Sequence, residues 1–176
     1  MGVGVKIVGG LTAVQSFQIM REYIILPDEG VAIFRFFGEY VGSEADRTML
    51  KFIDALSLDE VYSFNLIIWD LSDVDSMTLH DTDGARVAQF NEEVFRKLQY
   101  PGRDAGLLLS NLTVLHIPPK DTKVKEIWLE RLDRISIQPR IVPHVQSSKA
   151  ENLPGVLRSL NLQRLIPMLK REWRPL

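Results

Sequence analysis

The sequence predicts an α/β fold in which a mostly parallel central sheet is flanked by helices. Its 176 residues, of which 45% are hydrophobic and 25% charged, have the length and composition of one globular domain. After an opening hairpin, short apolar segments alternate with longer segments of helical periodicity. That alternation requires parallel strands joined by right-handed crossovers, and the predicted order of elements is β-β-α-β-α-β-α-β-α.

The first two strands are predicted to pair as an antiparallel hairpin. Residues 23–26 and 31–37 are rich in β-forming side chains, and residues 27–30 between them have the turn sequence Pro-Asp-Glu-Gly. We expect the hairpin to end within residues 38–42, which begin and end with glycine.

An amphipathic helix is predicted to follow the hairpin. Ser43 has the side chain of an N-cap, and Glu44 and Asp46 lie in the first turn, where the helix dipole favours acids. The apolar stripe of this helix recurs at helical spacing and consists of Ala45, Met49, Phe52, Ile53 and Leu56. Residues 57–63 are expected to form the loop after it.

Residues 64–71 form the most apolar stretch of the chain. Because the stretch is short and apolar on both faces, it predicts a central parallel strand covered by helices on both sides. Residues 72–80 are predicted to be irregular. Asp81 or Thr82 then caps a second helix, which ends at the Tyr-Pro-Gly of residues 100–102.

Another buried strand is predicted at residues 105–109. Residues 113–117 are a second apolar segment, through which this strand could resume after two polar residues. Asp121 or Thr122 starts a third amphipathic helix, with an apolar stripe formed by Val124, Ile127, Trp128 and Leu132.

The last elements are an edge strand and a closing helix. Residues 140–145 are assigned to the edge of the sheet because the proline among them cannot donate to a ladder. Residues 152–154 have the Asn-Leu-Pro sequence of a helix start. We therefore expect one domain over residues 20–165, preceded by an appendage at 1–19 and followed by a basic tail at 166–176.

The composition excludes several classes of site. The chain has no cysteine, so it has no disulfide, no thiolate metal site and no cysteine nucleophile. No apolar run approaches the ~20 residues that cross a bilayer, and the start of the chain lacks the features of a signal peptide. We expect a cytoplasmic protein. Acidic side chains outnumber basic ones in residues 20–100, and the reverse holds for residues 101–176.

An acidic segment follows the predicted central strand, where ligands usually bind in open α/β sheets. It contains Asp70, Asp73, Asp75, His80, Asp81 and Asp83. Asp70, Asp73 and Asp75 could hold a hard cation such as Mg²⁺, or Asp70 could act as a nucleophile in phosphoryl transfer. Solvated acids and Asx-turns explain the same cluster equally well.

Three passages of the chain carry recognisable motifs. Residues 70–74 are an apolar strand end followed by Asp-Leu-Ser-x-Val, and residues 81–84 have the pattern Asp-Ser/Thr-x-Gly at the start of the next helix. The third passage runs from the strand at 105–109 through a helix to residues 141–145 and a closing helix. Together they resemble the STAS domain superfamily, in particular the SpoIIAA-like proteins related to bacterial anti-sigma factor antagonists. The resemblance implies a non-catalytic regulatory module with the STAS fold.

The resemblance also implies a regulatory loop. Thr82 occupies the position of the phosphoacceptor in the antagonists, Asp81 and Gly84 complete its motif, and Ser72 belongs to the preceding one. A phosphate at a helix N-terminus would be stabilised by unpaired N–H groups. The alternative is that Thr82 or Asp81 only caps the helix.

Three functional hypotheses follow. The first is a binding module that engages a protein partner or a small apolar ligand near the Ser72–Gly84 loop, without a cofactor. The second is a Mg²⁺-dependent phosphoryl-transfer or hydrolase activity at Asp70, and the third is a lipid carrier. We expect no nucleic-acid partner. A homodimer is a possibility that the sequence leaves undecided.

Overall fold

The computed structural model describes residues 20–78, 83–99, 101–102, 104–136, 144–170 and 173–175. Within them, one sheet contains six strands: β1 (Met20–Leu26), β2 (Val31–Val41), β3 (Leu66–Thr78), β4 (Thr113–Ile117), β5 (His144–Ser147) and β6 (Arg174–Pro175). Their spatial order is β5-β4-β3-β2-β1-β6. Strands β2 to β5 are parallel, whereas β1 is antiparallel to both of its neighbours.

The helices of the same residues are α1 (Gly42–Ala55), α2 (Leu58–Ser63), α3 (Asp83–Leu98), α4 (Ala105–Asn111), α5 (Thr122–Ser136) and α6 (Leu153–Ser159). The predicted α/β architecture, a central sheet flanked by helices, is confirmed. The order of elements differs from the predicted one, because α2, α4 and β6 are additional.

Two cores lie on opposite faces of the sheet. Because β2 to β5 lie side by side in chain order, right-handed crossovers place α1, α3 and α5 on one face, and α6 packs on the other. We call these the α1 face and the α6 face. Buried residues of the α1 face include Phe34, Phe52, Leu71, Val94 and Trp128. Those of the α6 face include Ile24, Ile33, Ile68, Ile117 and Leu157.

The strand predicted at residues 105–109 is wrong, because this segment is helix α4. Asp104 caps α4 by accepting a hydrogen bond from the Leu107 N–H at 3.1 Å, and Leu108 and Leu109 are buried on the α1 face. The strand is the second apolar segment, Thr113–Ile117. A short apolar run suits a buried helix turn as well as a strand, so its periodicity could not distinguish them.

Two predicted boundaries on the sheet also need correction. Residues 72–78, expected to be irregular, continue β3 and pair with β2 as far as Val41↔Thr78. The register shifts twice along this pairing, between Arg35 and Phe37 and between Gly38 and Glu39, and each time β3 has one more residue than β2. Helix α1 begins at Gly42, so Ser43 is not its N-cap; Val41 holds that position without a side-chain hydrogen bond.

Other local predictions are confirmed. The β1–β2 hairpin turns through Pro27–Glu29, and Asp121 caps α5 by accepting hydrogen bonds from the Lys123 and Val124 N–H groups at 2.9 and 3.0 Å. Asn152 caps α6 through the N–H of Gly155 at 2.9 Å. Strand β5 lies at the sheet edge, shifted toward the C-terminus from residues 140–145. Residues 1–19 and 140–143 lie outside the described residues.

The C-terminal segment packs on the sheet. Leu165, Ile166, Met168 and Leu169 belong to the core of the α6 face, and β6 pairs with β1. The indole N–H of Trp173 donates to the carbonyl of Leu169 at 2.6 Å. No helix among the described residues is long and apolar enough to cross a membrane.

Gly30 closes the β1–β2 turn in a conformation that other residues rarely adopt. Its φ is +66°, and a β-carbon there would lie 2.9 Å from Asn65 Nδ2 and 3.0 Å from the Ser63 carbonyl oxygen. We expect Gly30→Ala to lower the free energy of unfolding by about 2 kcal/mol, measured by urea unfolding. Gly102→Ala is the matched control, since Gly102 has a φ of +83° and no atom of the described residues lies within 4 Å of its β-carbon position. Equal losses in the two variants would show that the contact with Asn65 and Ser63 contributes nothing.

Candidate functional site

Asp70 lies inside β3 and is 3% exposed. It accepts a hydrogen bond from the backbone N–H of Ser72 at 3.1 Å, and its second oxygen lies 3.7 Å from Arg35 Nε. Arg35 also lies 3.8 Å from Glu22, and its guanidinium is 4.0 Å from the centre of the Trp173 ring. Asp70 is therefore part of a charge network that ties β3, β2, β1 and the C-terminal segment together.

The other two predicted metal ligands are closer to the solvent. Asp73 forms an ion pair with Lys120 at 2.7 Å, and this hydrogen bond, with the carboxylate charge, raises the pKa of Lys120. Asp75 is exposed. Among the residues that the structure describes, no three His, Asp or Glu side chains are grouped to hold a metal ion. Asp70, Asp73 and Asp75 are all described, but the acidic segment to which they belong continues through His80 and Asp81, which are not, and the metal hypothesis stays a prediction.

The predicted phosphoacceptor loop is only partly within the structure. Asp81 and Thr82, together with His80, lie outside the described residues. Gly84 belongs to the first turn of α3, and Ser72 is buried in β3. The assignment of Thr82 as a phosphoacceptor stays a prediction.

A cavity of about 110 Å³ lies on the α1 face between α1, α2, α3, α4 and the sheet. Every one of its lining side chains is apolar: Met49, Phe52, Ile53, Leu56, Val61, Phe64, Ile67, Trp69, Phe90, Val94, Leu98, Leu108, Leu109, Leu112 and Val114. Ile67 and Trp69 belong to the central strand, yet both are partly exposed, as is Phe90 on α3. The helices therefore leave part of the sheet uncovered here. We call this space the apolar cavity.

The apolar cavity lies beside the first part of β3, and the predicted loop begins at Ser72 in the same strand. Ile67 and Trp69 are near the start of β3, whereas Thr78 ends it. At ~3.3 Å per strand residue, Ser72 is only about 10 Å beyond Trp69, and at ~1.5 Å per helix residue Gly84 is about 9 Å along α3 from Phe90. The expectation of an apolar ligand near the Ser72–Gly84 loop stays a prediction.

A group of polar residues lies on the α1 face at the end away from the apolar cavity, where β2 ends and α1 begins. Arg86 on α3 pairs with Asp46 on α1. Arg131 on α5 is 4% exposed and lies 5.4 Å from the ring centres of both Tyr40 and Trp128. Burial, followed by the nearby charge of Arg131, lowers the pKa of Arg86. We call Arg86 and Arg131 the arginine pair.

His116 lies beside the arginine pair in the core of the sheet. Its ring is 5.3 Å from Trp69 and 5.1 Å from Trp128, centre to centre, and its Nδ1 has no hydrogen-bond partner within the described part of the chain. Burial, and then the charge of Arg131, lowers the pKa of His116 to about 3. The imidazole is therefore neutral at pH 7.

Sequence reasoning missed Arg131 and His116, although each had a local indication. Arg131 follows Val124 and Trp128 at helical spacing, so it falls on the apolar stripe of α5. His116 is set within the apolar run of β4, where a side chain facing either way meets a core. A charged or titratable residue is uncommon at a position that the pattern assigns to the core, and this mismatch is the indication that the sequence contains.

Comparison with known proteins does not identify a family. No protein-family model matches the chain, and no curated protein matches its sequence. Among solved structures, the chain is similar to the anti-sigma factor antagonist SpoIIAA in its unphosphorylated form, with 13% sequence identity and a TM-score of 0.37. The match covers 82% of this chain and 97% of that one. A TM-score of this size does not establish a common fold, and the STAS family stays a prediction.

Proposed function

We propose that the chain is a non-catalytic binding module whose ligand is a small apolar molecule held in the apolar cavity. The observation that carries the proposal is the cavity itself, about 110 Å³ with entirely apolar walls beside a partly exposed central strand. Protein interiors are close-packed, so apolar walls that face a space of this size lack the contacts that buried side chains normally make. An apolar ligand would supply those contacts and remove apolar surface from water.

The walls and the volume restrict the ligand. Apart from the Trp69 indole N–H, they offer no strong side-chain hydrogen-bond donor or acceptor, so a polar molecule would lose most of its contacts with water without replacement. Engineered apolar cavities of about 150 Å³ hold benzene, so a single ring or a short alkyl chain matches this size. A peptide segment does not match this cavity, because its backbone polar groups would be left without hydrogen-bond partners. Within the binding-module hypothesis, the geometry thus supports a small apolar ligand over a protein partner at this position.

The surroundings of Asp70 support a non-catalytic role. One carboxylate oxygen accepts from the Ser72 N–H, and the other faces Arg35, in a side chain that is almost fully buried. A nucleophilic carboxylate needs an oxygen that a substrate can approach. We further propose, from the motifs at residues 70–74 and 81–84, that the module is of the STAS type.

Toluene binding tests the proposal. We expect saturating toluene to raise the thermal midpoint of the chain by about 4–8 °C, for a stabilisation near 2 kcal/mol in a chain of this size. Val94→Phe places a ring into the cavity from α3 and should abolish the shift. Calorimetric unfolding with and without toluene measures both.

Ile127→Phe is the matched control for Val94→Phe. It adds the same ring at an exposed position of α5, outside the cavity, and should leave the toluene shift unchanged. The proposal fails if toluene does not move the midpoint of the unsubstituted chain, or if Val94→Phe binds toluene equally well. Native mass spectrometry of the purified chain would then identify any small molecule that it retains.

A further inference from the structure

Two guanidinium groups converge on the first residue of α1. A β-carbon at Gly42 would lie 2.6 Å from Arg86 Nη2 and 2.8 Å from Arg131 Nη1. A β-carbon at this position would push the ends of both arginine side chains away, so glycine lets them come close to the helix. The arginine pair, held on α3 and α5, is therefore aimed at the N-terminal end of a third helix.

This arrangement is electrostatically unfavourable unless a negative charge is present. The N-terminus of a helix carries about half a positive charge, and its first N–H groups have no acceptor within the helix. Val41 provides no side-chain cap that would occupy them. Asp46 pairs with Arg86, and Glu44 is 3.8 Å from a third arginine, Arg21. Within the described residues, neither acid forms an ion pair with Arg131.

Arg131 is the least compensated charge of the group. It is 4% exposed, and its Nε and Nη1 have no hydrogen-bond partner among the residues that the structure describes. Burying an unpaired cation is unfavourable, and stacking on the rings of Tyr40 and Trp128 offsets only part of that cost. The neutral His116 beside it contributes no countercharge.

We propose that the N-terminus of α1 and the arginine pair form a binding site for a phosphate-class oxyanion. Guanidinium forks and helix N-terminal N–H groups are the donors that most often hold phosphate oxygens in proteins. The site lies at the carboxyl end of β2, an edge where ligands commonly bind in α/β sheets. Ser43 and Arg86 are partly exposed, which gives an anion a route from the solvent. This site is separate from the apolar cavity and goes beyond the proposed function.

Isothermal titration of the full chain with inorganic phosphate tests the site, with chloride at equal ionic strength as the reference. Arg131→Met keeps the buried stem and removes the guanidinium, so it should weaken phosphate binding about ten- to hundredfold. Arg96→Met is the matched control on α3. It removes the guanidinium of a side chain that is 76% exposed to the solvent. It should bind phosphate as the unsubstituted chain does.

A second measurement separates this role from a structural one. Without phosphate, Arg131→Met should unfold at the same urea concentration as the unsubstituted chain or at a higher one, because it removes an uncompensated buried charge. With phosphate, only the unsubstituted chain should be stabilised. If Arg131→Met does not fold, Gly42→Ala displaces the guanidiniums instead and should also weaken phosphate binding at least about tenfold.

Two outcomes would overturn the inference: no phosphate binding by the unsubstituted chain, or undiminished binding by the folded variants. Phenyl phosphate distinguishes the sources of the anion. Tighter binding of phenyl phosphate than of inorganic phosphate would assign the site to the phosphate group of an organic ester. Equal binding would assign it to the free anion. Val94→Phe should bind phosphate normally, since it changes only the apolar cavity.

Discussion

Lowering the pH from about 7.5 to about 4.5 is expected to reduce the free energy of unfolding by about 2.5 kcal/mol through His116 alone. Burial between Trp69 and Trp128, with the charge of Arg131, lowers the pKa of His116 in the folded chain to about 3, from 6.5. Between these two values the unfolded chain binds a proton that the folded chain does not. The stabilising effect is therefore complete above about pH 6.5 and is lost progressively as the pH falls toward 3.

Urea unfolding of the chain and of His116→Gln at several pH values across this range measures the effect. His116→Gln removes the titrating group. As the pH is lowered below 6.5, the free energy of unfolding of this variant should therefore decrease by about 1.4 kcal/mol less per pH unit than that of the unsubstituted chain. His144→Gln is the matched control at an exposed position of β5, and it should keep the slope of the unsubstituted chain. Equal slopes for His116→Gln and the unsubstituted chain would contradict the burial of a neutral imidazole.

Much of the fold could be predicted because its determinants are local. The turn at residues 27–30 and the caps Asp121 and Asn152 each depend on a few neighbouring residues, and the structure has them where the sequence indicates. The helix at residues 105–109 was missed because a short apolar run has no period to distinguish it from a strand. The extension of β3 through residues 72–78 was missed because it depends on pairing with β2, which is not local.

The sites were harder to predict because they also depend on contacts between segments that are distant in the sequence. The acidic residues after the central strand are visible in the sequence, but whether their carboxylates meet depends on the direction of each side chain in β3. The apolar cavity is a space between four helices and two strands, and no single segment indicates it. The arginine pair meets Gly42 from two other helices, α3 and α5, so its convergence appears only in three dimensions.

Substituting the three aspartates of β3 one at a time should give graded losses of stability. Asp70→Ala is expected to lower the free energy of unfolding by about 3 kcal/mol, because it leaves the buried Ser72 N–H without its acceptor and Arg35 without its most buried partner. Asp73→Ala removes an exposed ion pair with Lys120 and should cost under about 1 kcal/mol. Asp75→Ala, at an exposed position, should have no measurable effect. Urea unfolding without divalent ions measures all three.

The same series with added Mg²⁺ distinguishes the structural role of Asp70 from the metal hypothesis. If Asp70, Asp73 and Asp75 held a cation together, Mg²⁺ would stabilise the unsubstituted chain, and each substitution would abolish that stabilisation to a similar extent. If Asp70 instead acts through Arg35 and Ser72, Mg²⁺ leaves the order of the three variants unchanged, since those contacts need no metal. A Mg²⁺-dependent stabilisation lost equally in all three variants would therefore contradict a purely structural role of Asp70 and support the predicted cation site.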